Sequence, residues 1–442
     1  VGAEWGFGQR VLYFEGADAP ALLRRGRLPT LGLSWRGALA VFAWSRHRWG
    51  DAAGLFSLFL WCTSPSILAH ARWVTFDLPV AALWVATLYG WWRLLQREGR
   101  PHLVGRLLFG RLATGVLLGA ALGTKCSAPL LLPAMGLIEL ALGGGVAGTP
   151  FFADLRRRLS RWAMVLSVAV VTLWAIYGFP LDPGFYLDGL TRIYGDIPST
   201  HQAYFDGRFA ESFPLYFVWT LALKSSLLEL ALFAAVAVGT VARSRGAERR
   251  DALALWLPAL LWLVAMSLVA RNMGHRYTLS VYPLLFVLAG AVVPWAREAL
   301  RRPLFRGLVG VCCALQLSGL LAHHPHYLPY FHRLAGGGDC GPWWRDDSNV
   351  DWGQDLATAG PWLASHGGDE VMADLPVHSN PAAYGVAARP SDLGEFDRAV
   401  PRDGAYLISA SKLARGLAEH RATGAPTDWR ERDTPRDVLG GS

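Results

Sequence analysis

The sequence predicts a polytopic α-helical membrane protein with a small α/β domain at its C-terminal end. Three observations lead there. The chain is 52% hydrophobic and only 17% charged, which is too apolar for an ordinary soluble surface. Its apolar residues are gathered in blocks about one bilayer long instead of following an amphipathic period. From His323 onward the composition turns polar, charged and rich in glycine and proline.

About twenty apolar residues cross the hydrocarbon core, and roughly ten such segments can be drawn. They cover residues 30–45, 52–69, 78–95, 107–123, 127–145, 162–179, 225–241, 252–270, 277–295 and 305–322. Arginines mark every second link: Arg46 and Arg48; Arg93, Arg97, Arg100 and Arg106; Arg156, Arg157, Arg158 and Arg161; Arg243, Arg245, Arg249 and Arg250; Arg297, Arg301, Arg302 and Arg306. The positive-inside tendency makes those links cytoplasmic. Links 70–77, 124–126, 180–212 and 271–276 are then extracytoplasmic, together with both chain ends. The net charge of +8 is explained by this topology, and no nucleic-acid partner is expected.

The stretch from Phe213 to Val241 is too long for one upright span. FPLYFVWTLAL is expected to lie at the outer interface, with the span starting just after Lys224. The expected domains are 1–29 as an extracytoplasmic loop, 30–322 as the helical membrane domain and 323–442 as an extracytoplasmic α/β domain. In the last, WGQDLATAGPWLASHG reads as a helix, and VMADL and AYLIS as strands. Five cysteines show neither a disulfide framework nor zinc spacing, and the H-H-P-H run at 323–326 reads as a solvated loop. No internal repeat is evident, which counts against an inverted-repeat transporter.

This sidedness gathers ionisable residues at one surface. Arg72 and Asp77 interrupt two apolar runs in a tight outer link, and other outer links add Lys125, His201, Arg208, Lys224, His275 and Arg276. A carboxylate among cations at headgroup level suits phosphate chemistry. Lys and Arg stabilise charge building on a lipid phosphate as an anomeric carbon is attacked, while a carboxylate accepts or orients the attacking proton. Plainer readings stand beside this one. Asp77 before Leu78-Pro79 also fits a helix N-cap, and interfacial Lys and Arg also serve as snorkelling anchors.

Several segments, in order along nearly the whole chain, resemble the membrane glycosyltransferases of family 39, the protein O-mannosyltransferase and aminoarabinose transferase group with its phospholipid carrier-dependent branch. They are SPSILAHARWVTFDLPVA, GAALGTKCSAPLLLP, HQAYFDGRF, ALKSS, HRYTLSVYPLLFVLAG, HPHYLPYFHRLAGG and DDSNVDWGQDL. The resemblance implies a GT-C type fold and transfer of a sugar, with inversion, from a polyprenyl-phosphate donor. The acceptor would be a protein, lipid or glycan, with no metal or other cofactor, in a membrane such as the bacterial inner membrane. By the same resemblance Asp77 is a catalytic acidic residue, Lys125, Lys224 and Arg276, with Arg72, contact the donor phosphate, and His201, Tyr204, Arg208, His275 and Tyr277 line the substrate cavity. The family's principal carboxylates, an Asp-Glu pair after a first helix, have no counterpart: Glu4 and Glu15 do not match it. The expectation is a chain truncated at both ends. A silent fragment of such an enzyme, or a polytopic transporter, is the competing expectation.

Overall fold

The computed structural model describes residues 3–15, 18–98, 104–143, 149–182, 184–195, 202–243, 245–269, 272–366, 371–375, 380–390, 405–422, 435 and 438–439. Helices dominate: α1 (Ala3–Gln9), α2 (Ala19–Trp49), α3 (Asp51–Thr63), α4 (Pro65–Ala71), α5 (Asp77–Arg97), α6 (Val104–Thr124), α7 (Leu131–Ala141), α8 (Phe151–Ile176) and α9 (Phe185–Gly195). A hairpin of β1 (Ala203–Phe205) and β2 (Arg208–Ala210) precedes α10 (Tyr216–Lys224), α11 (Leu227–Arg243), α12 (Gly246–Val269), α13 (Tyr282–Ala289), α14 (Val292–Trp295) and α15 (Pro303–Ala322). The C-terminal part holds α16 (Gly337–Trp344), α17 (Leu356–Ser365), β3 (Val371–Asp374), β4 (Ala388–Pro390), β5 (Ala405–Ile408) and α18 (Ala410–Ala422).

The fold is therefore a polytopic helical bundle with a small α/β unit, as the composition predicts. Each expected apolar block is largely helical among the described residues, but five described helices are long and apolar enough to cross a membrane, or six counting one bent pair, fewer than the ten blocks drawn from the sequence. The difference has local causes. Block 52–69 breaks at Ser64, ahead of Pro65, and α3 and α4 meet at 60°; the residue before a proline is disfavoured in helical conformation. Block 277–295 is divided into a tight turn at His275–Thr278, then α13 and α14. The run after Phe213 divides as expected, α10 ending at Lys224 and α11 starting at Leu227. Much of 1–29, expected as loop, is helical, because α2 begins at Ala19, with Asp18 accepting from the Ala21 N–H at 3.0 Å as its cap.

α5 is the central pillar. Leu78, Val80, Ala81, Trp84, Val85, Leu88 and Trp91 are all essentially inaccessible, packed against α2, α6, α7 and α13. α6 lies on α8 through Gly115, Gly119 and Gly123, spaced four apart on one face. A Cβ at Gly119 would stand 2.5 Å from the Ala169 carbonyl oxygen and 2.6 Å from Thr172 Cβ, so only glycine permits that approach.

At the far end of α5 from Asp77, charges are paired. Arg161, with no exposed surface, bridges Glu98 and Glu139, the latter at 2.5 Å, and Trp162 Nε1 donates to Glu139 at 2.9 Å. Arg157, Arg158 and Arg161, read from sequence as topology markers, here also join α5, α7 and α8. The C-terminal sheet is parallel, in the order β4-β3-β5, and its core is Ala359, Leu363, Val371 and Val386. VMADL and AYLIS are its two longer strands, and the expected helix is α17, starting at Leu356.

Candidate functional site

Asp77 is the first residue of α5. The preceding cap residue, Phe76, offers no side-chain cap bond, and the Asp77 carboxylate is paired with Lys125 Nζ. It thus has a partner from another helix, beyond a capping role. Asp77 is 5% exposed, and a carboxylate at a helix N-terminus is favoured by the helix dipole. Lys125 follows the last residue of α6, where the dipole favours a cation, so the close α6–α8 seam fixes where this ammonium stands. Its Nζ lies 4.6 Å from the centre of the Tyr277 ring.

Arg276 comes from the tight turn between α12 and α13. Gly274 opens that turn at φ +128°, a conformation that favours glycine, and Ser348 lies against its backbone where a Cβ would be. The Arg276 guanidinium stacks 5.3 Å from Tyr277 and 5.6 Å from Trp352. Its Nε is buried without a hydrogen-bond partner, and no carboxylate among the described residues pairs with it. Trp352 also meets His70 at 5.8 Å and Trp73 at 6.2 Å, edge to face. Asp77, Lys125, Arg276 and Lys224 all lie close enough to act electrostatically on the His70 ring. Lys125 and Arg276 against the single carboxylate of Asp77 leave this cluster net positive and suited to an anion.

Lys224 differs from the sequence expectation of a donor-phosphate ligand. Its ammonium donates to the Leu328 and Asn349 carbonyls, each at 2.7 Å, and rests 4.1 Å from the Phe331 ring. It fastens the C-terminal segment to the bundle, and burial pushes its pKa well below the ordinary lysine range. Asn349 completes the clasp: its side chain accepts from the His275 N–H at 2.8 Å and donates to the Tyr216 hydroxyl at 3.3 Å and the Asp346 carbonyl at 2.9 Å. The DDSNVDWGQDL stretch thereby positions Trp352 over the cluster.

His275 is 1% exposed, its Nδ1 3.0 Å from the Thr278 hydroxyl, and burial holds it well below the usual imidazole pKa. His275 Nε2 and His70 Nδ1 have no partner among the described residues, and both side chains line one small void of about 10 Å³, also bounded by Ser66, Lys224, Tyr330 and Ser348. That is room for a single water with polar neighbours.

The remaining expected residues lie elsewhere. Arg72 is exposed and donates to the Pro325 carbonyl, tying the following loop. Tyr204 is buried in the hairpin, its hydroxyl donating to the Trp343 carbonyl at 3.2 Å, and Arg208 sits across from Phe205 in β2. Tyr204 thus reaches the C-terminal segment, while the exposed Arg208 pairs only with Phe205 within the hairpin among the described residues. His201 falls outside the described residues. His326 is bonded to Asp355 at 2.9 Å, and no group of three His, Cys, Asp or Glu side chains converges as a metal site among the described residues.

His70, Trp352 and Asn349 were missed as site residues. His70 closes an apolar run and resembles a buried core histidine, while Trp352 and Asn349 act across more than seventy residues of sequence. The available signal was that His70 lies in SPSILAHARWVTFDLPVA, and Asn349 and Trp352 in DDSNVDWGQDL, both segments that carry the family resemblance.

No protein-family model matches the sequence, and no curated protein matches it. Among solved structures the chain aligns with ArnT from Cupriavidus metallidurans in the apo state, at 17% identity over 91% of this chain and 82% of that one, with a TM-score of 0.47. It aligns with the same protein bound to undecaprenyl phosphate at 16% identity over 82% and 71%, with a TM-score of 0.46. The Archaeoglobus fulgidus oligosaccharyltransferase in the apo form aligns at 14% identity over 74% and 45%, with a TM-score of 0.39.

Proposed function

We propose that the Asp77 end of the bundle binds the phosphate of a polyprenyl-phosphate sugar and passes the sugar, with inversion, to an acceptor hydroxyl at the outer face of the membrane. The observation that carries this reading is Arg276. It is a largely enclosed guanidinium with no described carboxylate partner, beside Lys125 and above an aromatic floor. A guanidinium without a counter-ion in such surroundings is costly unless an anion arrives, and its fork matches phosphate oxygens.

In the proposed reaction the acceptor oxygen attacks the anomeric carbon. The bond from that carbon to the phosphate oxygen breaks, and its electron pair stays on the lipid phosphate. Arg276 and Lys125 stabilise the growing charge, and Asp77 orients the acceptor and takes its proton. The ion pair with Asp77 pre-positions Lys125 before the donor binds. Trp352 and Tyr277 shield the cluster from water, which strengthens each of these interactions.

The test is binding of polyprenyl phosphate to the purified protein, followed by transfer from a panel of labelled polyprenyl-phosphate sugars. Arg276→Gln should weaken binding at least tenfold. If lipid phosphate binds equally well without Arg276 and Lys125, the proposal fails.

A second reading, a transporter, has one observation in its favour. The chain breaks by 60° at Ser64, and Glu229 is fully buried in the first turn of α11, a combination of broken helix and intramembrane carboxylate found along transport paths. Glu229-dependent uptake by proteoliposomes, without sugar transfer, would decide for it.

A further inference from the structure

A second recessed surface lies away from Asp77. The β1–β2 hairpin, the end of α16 and the last turn of α18 enclose a groove of about 500 Å³, within the size range of small-ligand sites. Among the described residues it is lined by Tyr204, Asp206, Trp343 and Arg421, with Gly207, Ala418 and Ala422 leaving space between them. None of these four larger side chains has a part in the phosphate cluster.

The groove is a built feature. Asp206 and Gly207 form a tight hairpin turn at φ +51° and +72°, the Asp-Gly pairing that such turns favour. The turn is fixed from below, since the Asp206 N–H donates to the Trp344 carbonyl at 3.2 Å and the Tyr204 hydroxyl to the Trp343 carbonyl at 3.2 Å. Arg345, with no exposed surface, is wedged 3.5 Å from the Phe205 ring and 4.3 Å from the Tyr216 ring, so hairpin and bundle share one buried cation. On the other wall Arg415 of α18 bonds to Asp346 at 2.7 Å and to the Gln202 carbonyl at 3.2 Å. Trp343 is nonetheless 38% exposed, an indole left partly open between fixed walls.

We infer that this groove is a saccharide-binding subsite, and that it holds the outer part of an extended glycan acceptor. Its chemistry selects a neutral polyhydroxylated ligand. An anion would meet Asp206 and a cation would meet Arg421, whereas hydroxyl groups donate to the carboxylate and accept from the guanidinium. The Trp343 indole, with the Arg421 guanidinium 5.6 Å from its ring centre, offers in its exposed part a flat apolar area with a polar edge, suited to the C–H face of a sugar ring, while the fully buried Tyr204 only supports the groove from below. A lipid chain would need a continuous apolar surface, which the two charges interrupt. The chain itself links this groove to the phosphate cluster: Trp343 lines one and Trp352, nine residues later, covers the other. That segment spans at most about 30 Å even when extended, so one oligosaccharide of several units reaches both.

The inference rests on the proposed transfer reaction only for the word acceptor. Its test is saturation-transfer NMR on the detergent-purified chain with neutral di-, tri- and tetrasaccharides of hexose and N-acetylhexosamine units. Polyprenyl phosphate binding is measured on the same samples. Asp206→Asn, which keeps a residue tolerant of the turn conformation, and Trp343→Ala should each weaken saccharide binding at least tenfold. Trp343→Phe should retain most of it, separating a lost stacking face from a lost fold, and all three should leave polyprenyl phosphate binding unchanged. Absent saccharide binding, or equal binding by all variants, overturns the inference. If that happens while polyprenyl phosphate still binds through Arg276, the transfer proposal stands alone. If saccharides bind here while polyprenyl phosphate does not bind, the subsite stands and its acceptor role falls.

Discussion

Asp77→Asn separates two roles that the ion pair with Lys125 combines. The substitution keeps shape and removes charge from a residue only 5% exposed, leaving the Lys125 ammonium without its carboxylate. Breaking a fully buried pair costs roughly 3–5 kcal/mol. Lys125 keeps 17% side-chain exposure and the Tyr277 face at 4.6 Å, so we expect about 2 kcal/mol of lost stability, read as a lower thermal midpoint in detergent. Catalysis should suffer more: losing one acid–base and electrostatic contributor lowers turnover about a hundredfold, or about 2.7 kcal/mol in the barrier. Binding of polyprenyl phosphate should move the other way. Lys125 is released from its partner and a negative charge beside the incoming phosphate is gone, so affinity should hold or improve. Lys125→Gln forfeits a charge-assisted hydrogen bond worth roughly 1.5–3 kcal/mol, so affinity should fall ten- to a hundredfold. Equal loss of binding in both variants would refute this reasoning, because the pair would then be a structural brace.

Four further outcomes are expected. Arg161→Met takes the shared cation from Glu98 and Glu139, which keep Arg157 at 3.5 Å and Arg158 at 3.6 Å, so the loss should stay below the roughly 3–5 kcal/mol of a wholly stranded buried charge, and adding Glu98→Gln and Glu139→Gln should restore part of the thermal midpoint. Gly119→Val forces α6 off α8 and costs at least about 1–3 kcal/mol; because Lys125 directly follows α6, polyprenyl phosphate binding should weaken with it. Asn349→Ala removes three hydrogen bonds and strands the His275 N–H, for about 2–4 kcal/mol, and limited proteolysis should open the segment after His323. His275 is buried with its pKa held below the ordinary value, so the unfolded chain binds more protons below about pH 6.5 and stability should fall on acidification through that value. His275→Gln should flatten that dependence, as followed by thermal midpoint against pH.

How much of this was legible in the sequence depends on the range of the interaction. Apolar blocks and Arg-rich links are local signals, and they located the long helices of the bundle, while α1, α9, α16 and α18 lie outside them. Asp77 and Lys125 were legible because each interrupts or ends an apolar run. Their pairing across 48 residues needed the fold. The break at Ser64-Pro65 was visible as a proline, yet continuous hydrophobicity on both sides masked it as one span. Arg208 was grouped with the cluster because it lies in an outer link, and Tyr204 because it lies in the matching stretch HQAYFDGRF. A link's membership does not say where it folds, and Phe205 turns toward Arg345 instead. Lys224 shows the same limit: its charge was evident, but its acceptors lie 104 and 125 residues further along.

One feature of α5 reaches beyond the protein. The helix runs from Asp77 to Arg97, twenty-one residues or about 31 Å, close to the thickness of a hydrocarbon core, and ionic contacts hold it at both extremities. A rod so pinned cannot slide, so the height of the Asp77 carboxylate above the acyl chains is set by the rod's length. On the proposed reaction, lipid thickness then becomes a variable of the chemistry, since the headgroup of a polyprenyl donor would sit at the level its own leaflet sets. Reconstitution into a graded series of short- to long-chain phosphatidylcholines should give a maximum of activity where the two levels coincide.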